Sequence, residues 1–224
     1  MAVNIYPIPL GVAQCYVIQD KGAVMIDAGA PKKSTQFLKT IEHHGISPND
    51  IKLIIPTHGH WDHIGSAKDI KQITGARIAM HHREKEWLEK SQKHIPPAVN
   101  LWGHIIVKTL GGLLPLIRFP AAQVDITLED EDFSLTEFEI PGKIIYTPGH
   151  SPGSVSVLLD TGDAFVGDLA MSSFPLRLSP GLPIFADDIT QVKNSLKLLL
   201  DKGATTIYPA HGKSFPAELI RTFL

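Results

Sequence analysis

The chain has 224 residues, 43% of them hydrophobic, which is enough to bury a sizeable core, and the simplest division is one domain over 1–224. Charged residues make up 20% of it and the formal net charge is −2, so no basic field is expected to hold nucleic acid or an anionic membrane nonspecifically. The single cysteine, Cys15, excludes an intrachain disulfide and a thiolate-caged metal, and it suits a reducing, cytoplasmic setting.

The N-terminal MAVNIYPIPL lacks the charged and long apolar regions of a signal peptide. Cys15–Gln19 and Ala23–Asp27 are β-rich runs separated by the turn Asp20-Lys21-Gly22, which reads as a hairpin. A helix follows, with Phe37, Leu38 and Ile41 on one face, Ser34 as its cap and Gly45 at its left-handed end. Ile51–Ile55 is a buried strand stopped by Pro56. Beyond the loop 57–63, Ile64, Ala67, Ile70 and Ile73 mark a helix ending at Gly75, then a strand Arg77–Met80 and a polar helix Arg83–Lys90.

Residues 91–123 break this rhythm with an apolar, Pro- and Gly-punctuated insertion. Within it His104, Lys108, Gly111, Gly112, Pro115 and Arg118 interrupt 101–120 before it reaches the ~20 apolar residues of a membrane span. Short strands return over Asp125–Tyr146. Ser154–Leu159 and Ala164–Asp168 then form a second hairpin, and Ile189, Val192, Leu196 and Leu199 line a second helix. Thr205–Tyr208 leads into Pro209-Ala210-His211-Gly212, the counterpart of Pro56-Thr57-His58-Gly59. Two such units packed face to face predict a four-layer α/β (αββα) sandwich of two mixed β-sheets, with the equivalent strand ends at one cleft.

His58-Gly59-His60-Trp61-Asp62-His63 concentrates three imidazoles and a carboxylate in six residues, the ligand types that zinc, iron and manganese accept. In an extended loop His58 and His60 point the same way, while Asp62 and His63 aim elsewhere at the helix start. One loop rarely closes two sites. Further ligands are available at His150 in T-P-G-H-S-P-G, at Asp168 after Gly167 and at His211 before Gly212.

The ordered set V-M-I-D-A-G, T-H-x-H-x-D-H, T-P-G-H-S-P-G-S, V-G-D and P-A-H-G, spread over residues 24–212, resembles the metallo-β-lactamase superfamily. The resemblance implies two divalent metal ions, zinc first and iron or manganese as alternatives. One would be bound by His58, His60 and His150 and the other by Asp62, His63 and His211, with Asp168 bridging. Asp27 matches a buried supporting acid that is not a ligand. A hydroxide bridging the metals would attack an ester, lactone or thioester carbonyl of a small molecule, with Asp62 passing a proton to the leaving group.

Within the superfamily, Asp168 stands where antibiotic-resistance β-lactamases place cysteine, and His60 replaces the glutamate of flavodiiron proteins, so the pattern points to the branch of glyoxalase II and the lactonases. Only 13 residues follow His211, so the helical domain with which glyoxalase II grips glutathione is expected to be missing or rebuilt. An iron-dependent oxidoreductase resembling persulfide dioxygenases is the alternative, although Ala170–Pro175 lacks that group's signature. The 91–123 insertion, with Trp102, Leu113, Leu114, Leu116 and Ile117, would lie near the cleft in this family as an apolar lid, as the contact of a homo-oligomer, or as extra core. His81 and His82 read as surface or capping residues, and His43, His44, His94 and His104 as unclustered.

Overall fold

In the computed structural model, which describes residues 3–224 apart from the side chains of Leu110 and Leu113, side-chain alternation divides the strands between separate cores. The first sheet contains β1 (Asn4–Pro9), β2 (Gln14–Gln19), β3 (Ala23–Ile26), β4 (Ile51–Ile55), β5 (Arg77–His81) and β6 (Ile126–Leu128), bonded in that order. β1 to β3 are antiparallel and β3 to β6 parallel. Cys15, Val17, Met25 and Ile54 face an outer core, whereas Tyr16, Ile18, Val24, Leu53 and Ile55 face an inner one. β1 is absent from the sequence reading because Pro7 and Pro9 look like strand breakers. It is an edge strand paired only with β2, where missing N–H groups cost nothing.

The outer core is closed by α1 (Ser34–His43), α2 (Trp61–Ile64) and α3 (Ala67–Thr74), through Phe37, Ile41, Ile64, Ala67 and Ile70. Two local expectations change. Ser34 is the first helical residue rather than the cap, which is Lys33 and makes no side-chain bond. The helix expected from Ile64 to Gly75 is broken after Ile64, because Ser66 Oγ donates to the Ala30 carbonyl at 2.6 Å and accepts from Lys33 N at 2.9 Å, tying the break to the start of α1. A short α4 (Lys85–Glu89) follows β5, and the insertion folds into α5 (Leu101–Leu110) and a 3-10 turn, Gly111–Leu116.

The second sheet contains β7 (Phe133–Ser134), β8 (Gly142–Tyr146), β9 (Val155–Leu159), β10 (Asp163–Met171), β11 (Thr206–His211) and β12 (Phe215–Pro216), in the order β12-β11-β10-β9-β8-β7. Its inner face brings Ile144, Val155, Val157 and Phe165 against the first sheet. Its outer face is covered by α6 (Ile189–Asp201) through Val192, Leu196 and Leu199. The result is a four-layer α/β sandwich of two mixed sheets. Each half repeats an antiparallel hairpin followed by a helix and a parallel strand: β2, β3, α1, β4 in one and β9, β10, α6, β11 in the other. β10 runs on past Asp168 to Met171, with its register shifting at Gly167. No helix among the described residues is long and apolar enough to cross a membrane.

Candidate metal centre

The strand ends that meet at one edge bring Asp27, the loop 57–63, His150, Asp168 and His211 together. Asp27 directly follows β3 with φ of 58°, a left-handed conformation that aspartate tolerates better than most residues. Its Oδ1 accepts from the Thr57 backbone N at 2.7 Å and from Thr57 Oγ1 at 2.9 Å, and its Oδ2 lies 2.9 Å from His63 Nδ1. A carboxylate only accepts, so His63 carries its proton on Nδ1 and turns Nε2 toward the cleft. The hydroxyl proton of Thr57 is committed to Asp27, so Thr57 Oγ1 accepts from His58 Nδ1 at 3.1 Å and His58 likewise turns Nε2 inward. One buried acid thereby fixes the tautomer of two imidazoles. His150 Nδ1 donates to the Phe185 carbonyl at 2.8 Å and His211 Nδ1 to the Val12 carbonyl at 3.1 Å, with the same consequence.

All seven residues expected as ligands converge. His58, His60 and His150 form one group and Asp62, His63 and His211 another, each with ligand atoms within 4.8 Å of one another. Asp168 joins His58 and His63 in a third such group, its Oδ1 lying 3.5 Å from His63 Nε2 and its Oδ2 3.6 Å from His150 Nε2 and 3.3 Å from His211 Nε2. Gly167 makes that position accessible: its φ is +52°, and a Cβ there would stand 2.5 Å from Thr57 Oγ1. His58 Nε2, His63 Nε2 and Asp168 Oδ1 are buried and have no hydrogen-bond partner. Each orphan of this kind costs about 1–3 kcal/mol, so the fold alone gives no reason to assemble them. Imidazole nitrogens and carboxylate oxygens pointed at a shared space fit divalent cations.

Electrostatics separate the two groups. Burial, reinforced by neighbouring imidazoles, holds His58 well below its ordinary pKa and pushes His60 down to about 3, and burial also lowers His150. Burial opposes charge at His63 too, but Asp27, Asp168 and Asp62 override it and hold its pKa well above the ordinary value. His211 is raised to about 10 against burial by Asp168 and Asp62. Asp62 and Asp168 are held low despite burial, because His63 and His211 face them. The first group is thus a set of neutral bases, and the second concentrates negative charge that protons balance in the absence of a metal.

Two supporting residues escaped the sequence reading. Thr57 relays Asp27 to His58. Glu84, read as part of a polar helix, is fully buried and accepts from Gly59 N at 2.5 Å and Gly153 N at 2.7 Å, clamping the loops that carry His58–His63 and His150. Burial raises its pKa against those bonds. No local signal marks it, because its partners are backbone groups distant in sequence. His94, read as unclustered, stacks on Trp87 at 3.8 Å, and Trp87 stacks on His60 at 6.1 Å. His81, read as a surface or capping residue, is buried, stacked on Tyr146 and 3.2 Å from Asp130, while His82 pairs with Glu129 at 2.8 Å.

A cavity of about 660 Å³ opens over the cluster. Its floor includes His60, Asp62, His150, Asp168 and His211, and its walls include Ile106, Val107, Leu114 and Ile117 from the insertion and Phe174 and Leu176 from the loop after β10. Trp102 does not line it but donates from Nε1 to the Pro175 carbonyl at 2.7 Å, bracing that loop. Leu116 is exposed and lies outside the lining, and the side chain of Leu113 lies outside the described residues. No lysine or arginine lines the cavity among the described residues.

The sequence profile of the Metallo-beta-lactamase superfamily matches residues 8–211. The probable metallo-hydrolase YflN of Bacillus subtilis is 29% identical over 180 residues, covering 76% of this chain and 66% of YflN, so the match spans just under two thirds of that relative. The hydroxyacylglutathione hydrolase GloC of Haemophilus influenzae is 27% identical over 184 residues, covering 78% of this chain and 77% of GloC. An archaeal metallo-beta-lactamase superfamily protein from Sulfolobus tokodaii superposes with a TM-score of 0.70 at 24% identity, covering 99% of this chain and 85% of the other, a likeness of fold.

Proposed function

We infer that this chain, which belongs to the metallo-β-lactamase superfamily, is a dinuclear metal-dependent hydrolase of neutral esters, lactones or thioesters with an apolar acyl portion. The observation that carries this reading is the set of three buried, unpartnered atoms, His58 Nε2, His63 Nε2 and Asp168 Oδ1, where the two ligand groups meet. His58, His60 and His150 would hold one ion and Asp62, His63 and His211 the other, with Asp168 shared; zinc suits this donor set, and iron or manganese would accept it. Two divalent ions bound there would supply Lewis acidity and a water whose pKa is lowered toward neutrality.

The chain supplies the rest. Asp27 and Thr57 hold the imidazole tautomers, and Glu84 holds the two ligand loops in register. Asp62 lines the cavity floor and is the carboxylate that can take up a proton and hand it to the departing oxygen or sulfur. The apolar walls exclude water and favour an acyl chain. The relative named as a hydroxyacylglutathione hydrolase supports acyl hydrolysis as the reaction class, whereas the cavity lining has no lysine or arginine among the described residues to pair with the carboxylates of glutathione or of a β-lactam, which favours neutral substrates.

The test is hydrolysis of neutral acyl esters, lactones and thioesters beside phosphodiesters and β-lactams by metal-loaded protein. Turnover concentrated on the neutral acyl compounds is expected. Turnover confined to phosphodiesters or β-lactams, or iron-dependent oxygen consumption with a persulfide, would overturn the reading.

A further inference from the structure

We propose that the rim of the cavity docks on an anionic phospholipid surface, so that acyl chains reach the site directly from lipid. The fate of an entering chain rests on the hydrolase reading above, but the docking does not.

Exposed apolar side chains concentrate on this rim. Leu101 and Leu116 in the insertion are 77% and 75% exposed and Phe174 and Leu178 in the loop after β10 are 76% and 92% exposed, whereas outside these two wall-forming segments and the cavity lining the most exposed large apolar side chain among the described residues is Leu219 at 40%. Val12, Ile95 and Phe174 are exposed and also line the cavity, so the outer surface runs continuously into the cavity wall. An acyl chain can therefore pass from rim to site without crossing water. The display is built rather than frayed. Trp102 Nε1 ties α5 to the Pro175 carbonyl, and Lys93 Nζ donates to the carbonyls of Leu114, Pro115 and Ile117 at 3.1–3.2 Å, holding the 3-10 turn in place.

Charge selects the occupant. Residues 90–124 and 172–186 contain Lys90, Lys93, Lys108, Arg118 and Arg177 and no carboxylate, in a chain whose net charge is −2. Lys90 pairs with Glu86, Lys93 is engaged by carbonyls, and Arg177 donates to the Leu182 carbonyl. Lys108 and Arg118 are exposed and have no ion pair among the described residues. An apolar surface carrying unpaired cations, with an exposed tryptophan in it, is complementary to anionic headgroups above acyl chains. A second copy of the chain packed about a twofold axis would instead bring the unpaired cations Lys108 and Arg118 of one copy near those of the other, with no carboxylate in these segments to offset them. The negative net charge conceals this local field, which is why composition alone pointed away from membranes.

Co-sedimentation of the full chain with vesicles of phosphatidylcholine alone, and of phosphatidylcholine with phosphatidylglycerol, tests the proposal. The protein should sediment with the mixed vesicles, and binding should weaken roughly fivefold for each charge removed in K108Q and R118Q. The combined variant L101E/L116E/L178E, whose positions do not line the cavity, should lose vesicle binding while hydrolysing a water-soluble short-chain ester at the wild-type rate. Absence of binding to either vesicle, or binding unchanged in both the leucine and the K108Q/R118Q variants, would overturn the proposal. So would a lipid-free dimer that the leucine variant dissociates, since a second copy would then cover the face. Vesicle binding without acyl hydrolysis would sink the hydrolase reading alone, and hydrolysis without vesicle binding would sink the docking alone.

Discussion

Asp27 directly follows β3 and Asp168 lies within β10 just past its register shift, and the two make opposite predictions. Asp27 satisfies three donors, so Asp27→Ala leaves them unpaired in the interior and places alanine in a left-handed conformation. It should lose about 1–3 kcal/mol from the lost bonds and a further ~1–2 kcal/mol from the backbone, read by chemical denaturation. Asp168 has one oxygen without a hydrogen-bond partner and no backbone group depends on it, so Asp168→Ala should remain folded while losing metal and most turnover. Equal melting curves for Asp27→Ala and wild type would refute the structural role of Asp27. Glu84→Ala frees two backbone N–H groups and should lower metal affinity about 10–100-fold, as outer partners of ligands do, without removing a ligand. The candidate ligands were legible in the sequence because imidazoles and carboxylates at close spacing have few other uses. Thr57 and Glu84 were not, because a side chain that serves a distant backbone amide leaves no local trace.

Elements were legible where one period dominated. β4, the hairpin of β2 and β3 and the apolar face of α6 lie where the alternation and the helical spacing placed them. β1 was hidden by its prolines, and the break between α2 and α3 by a tertiary bond from Ser66 that overrides continuous helical spacing. The insertion was legible as apolar, but its position over the cavity depends on contacts such as Trp102 to Pro175, which no spacing encodes. If Ile106, Leu114 and Phe174 form the acyl wall, kcat/KM should rise along a homologous ester series by up to about fourfold per methylene, from ~0.8 kcal/mol of burial each. Trp102→Ala and Leu114→Ala should flatten that slope with metal content unchanged. A slope that survives both would remove the wall from the specificity account.

For the whole molecule, the histidine pKa values set an acid limit on the metal-free fold. His58, His60 and His150 are held below 6.5 and stay neutral in the native state, so the unfolded chain takes up protons first as pH falls, and stability is lost from 6.5 downward toward the folded values. His63 and His211 are raised; their contribution is fully present below 6.5 and is lost only as pH rises, toward about 10 for His211, so it does not offset the acid loss. The metal-free melting temperature should therefore fall between pH 6.5 and about 4, and a flat or rising curve would contradict the assignment. The repeated half was legible in the sequence, yet the meeting of its two ligand sets at one edge follows from the face-to-face packing of Tyr16, Val24 and Leu53 on Val157 and Phe165.

Titration of metal-stripped protein with zinc, with bound metal and hydrolysis of a neutral acyl ester measured in the same samples, tests whether the two ligand groups act as one dinuclear site. Two equivalents should bind per chain, with full turnover reached only as the second is taken up. Saturation at one equivalent with turnover already complete, or turnover indifferent to zinc, would contradict the shared role of Asp168 between His58, His60 and His150 on one side and Asp62, His63 and His211 on the other.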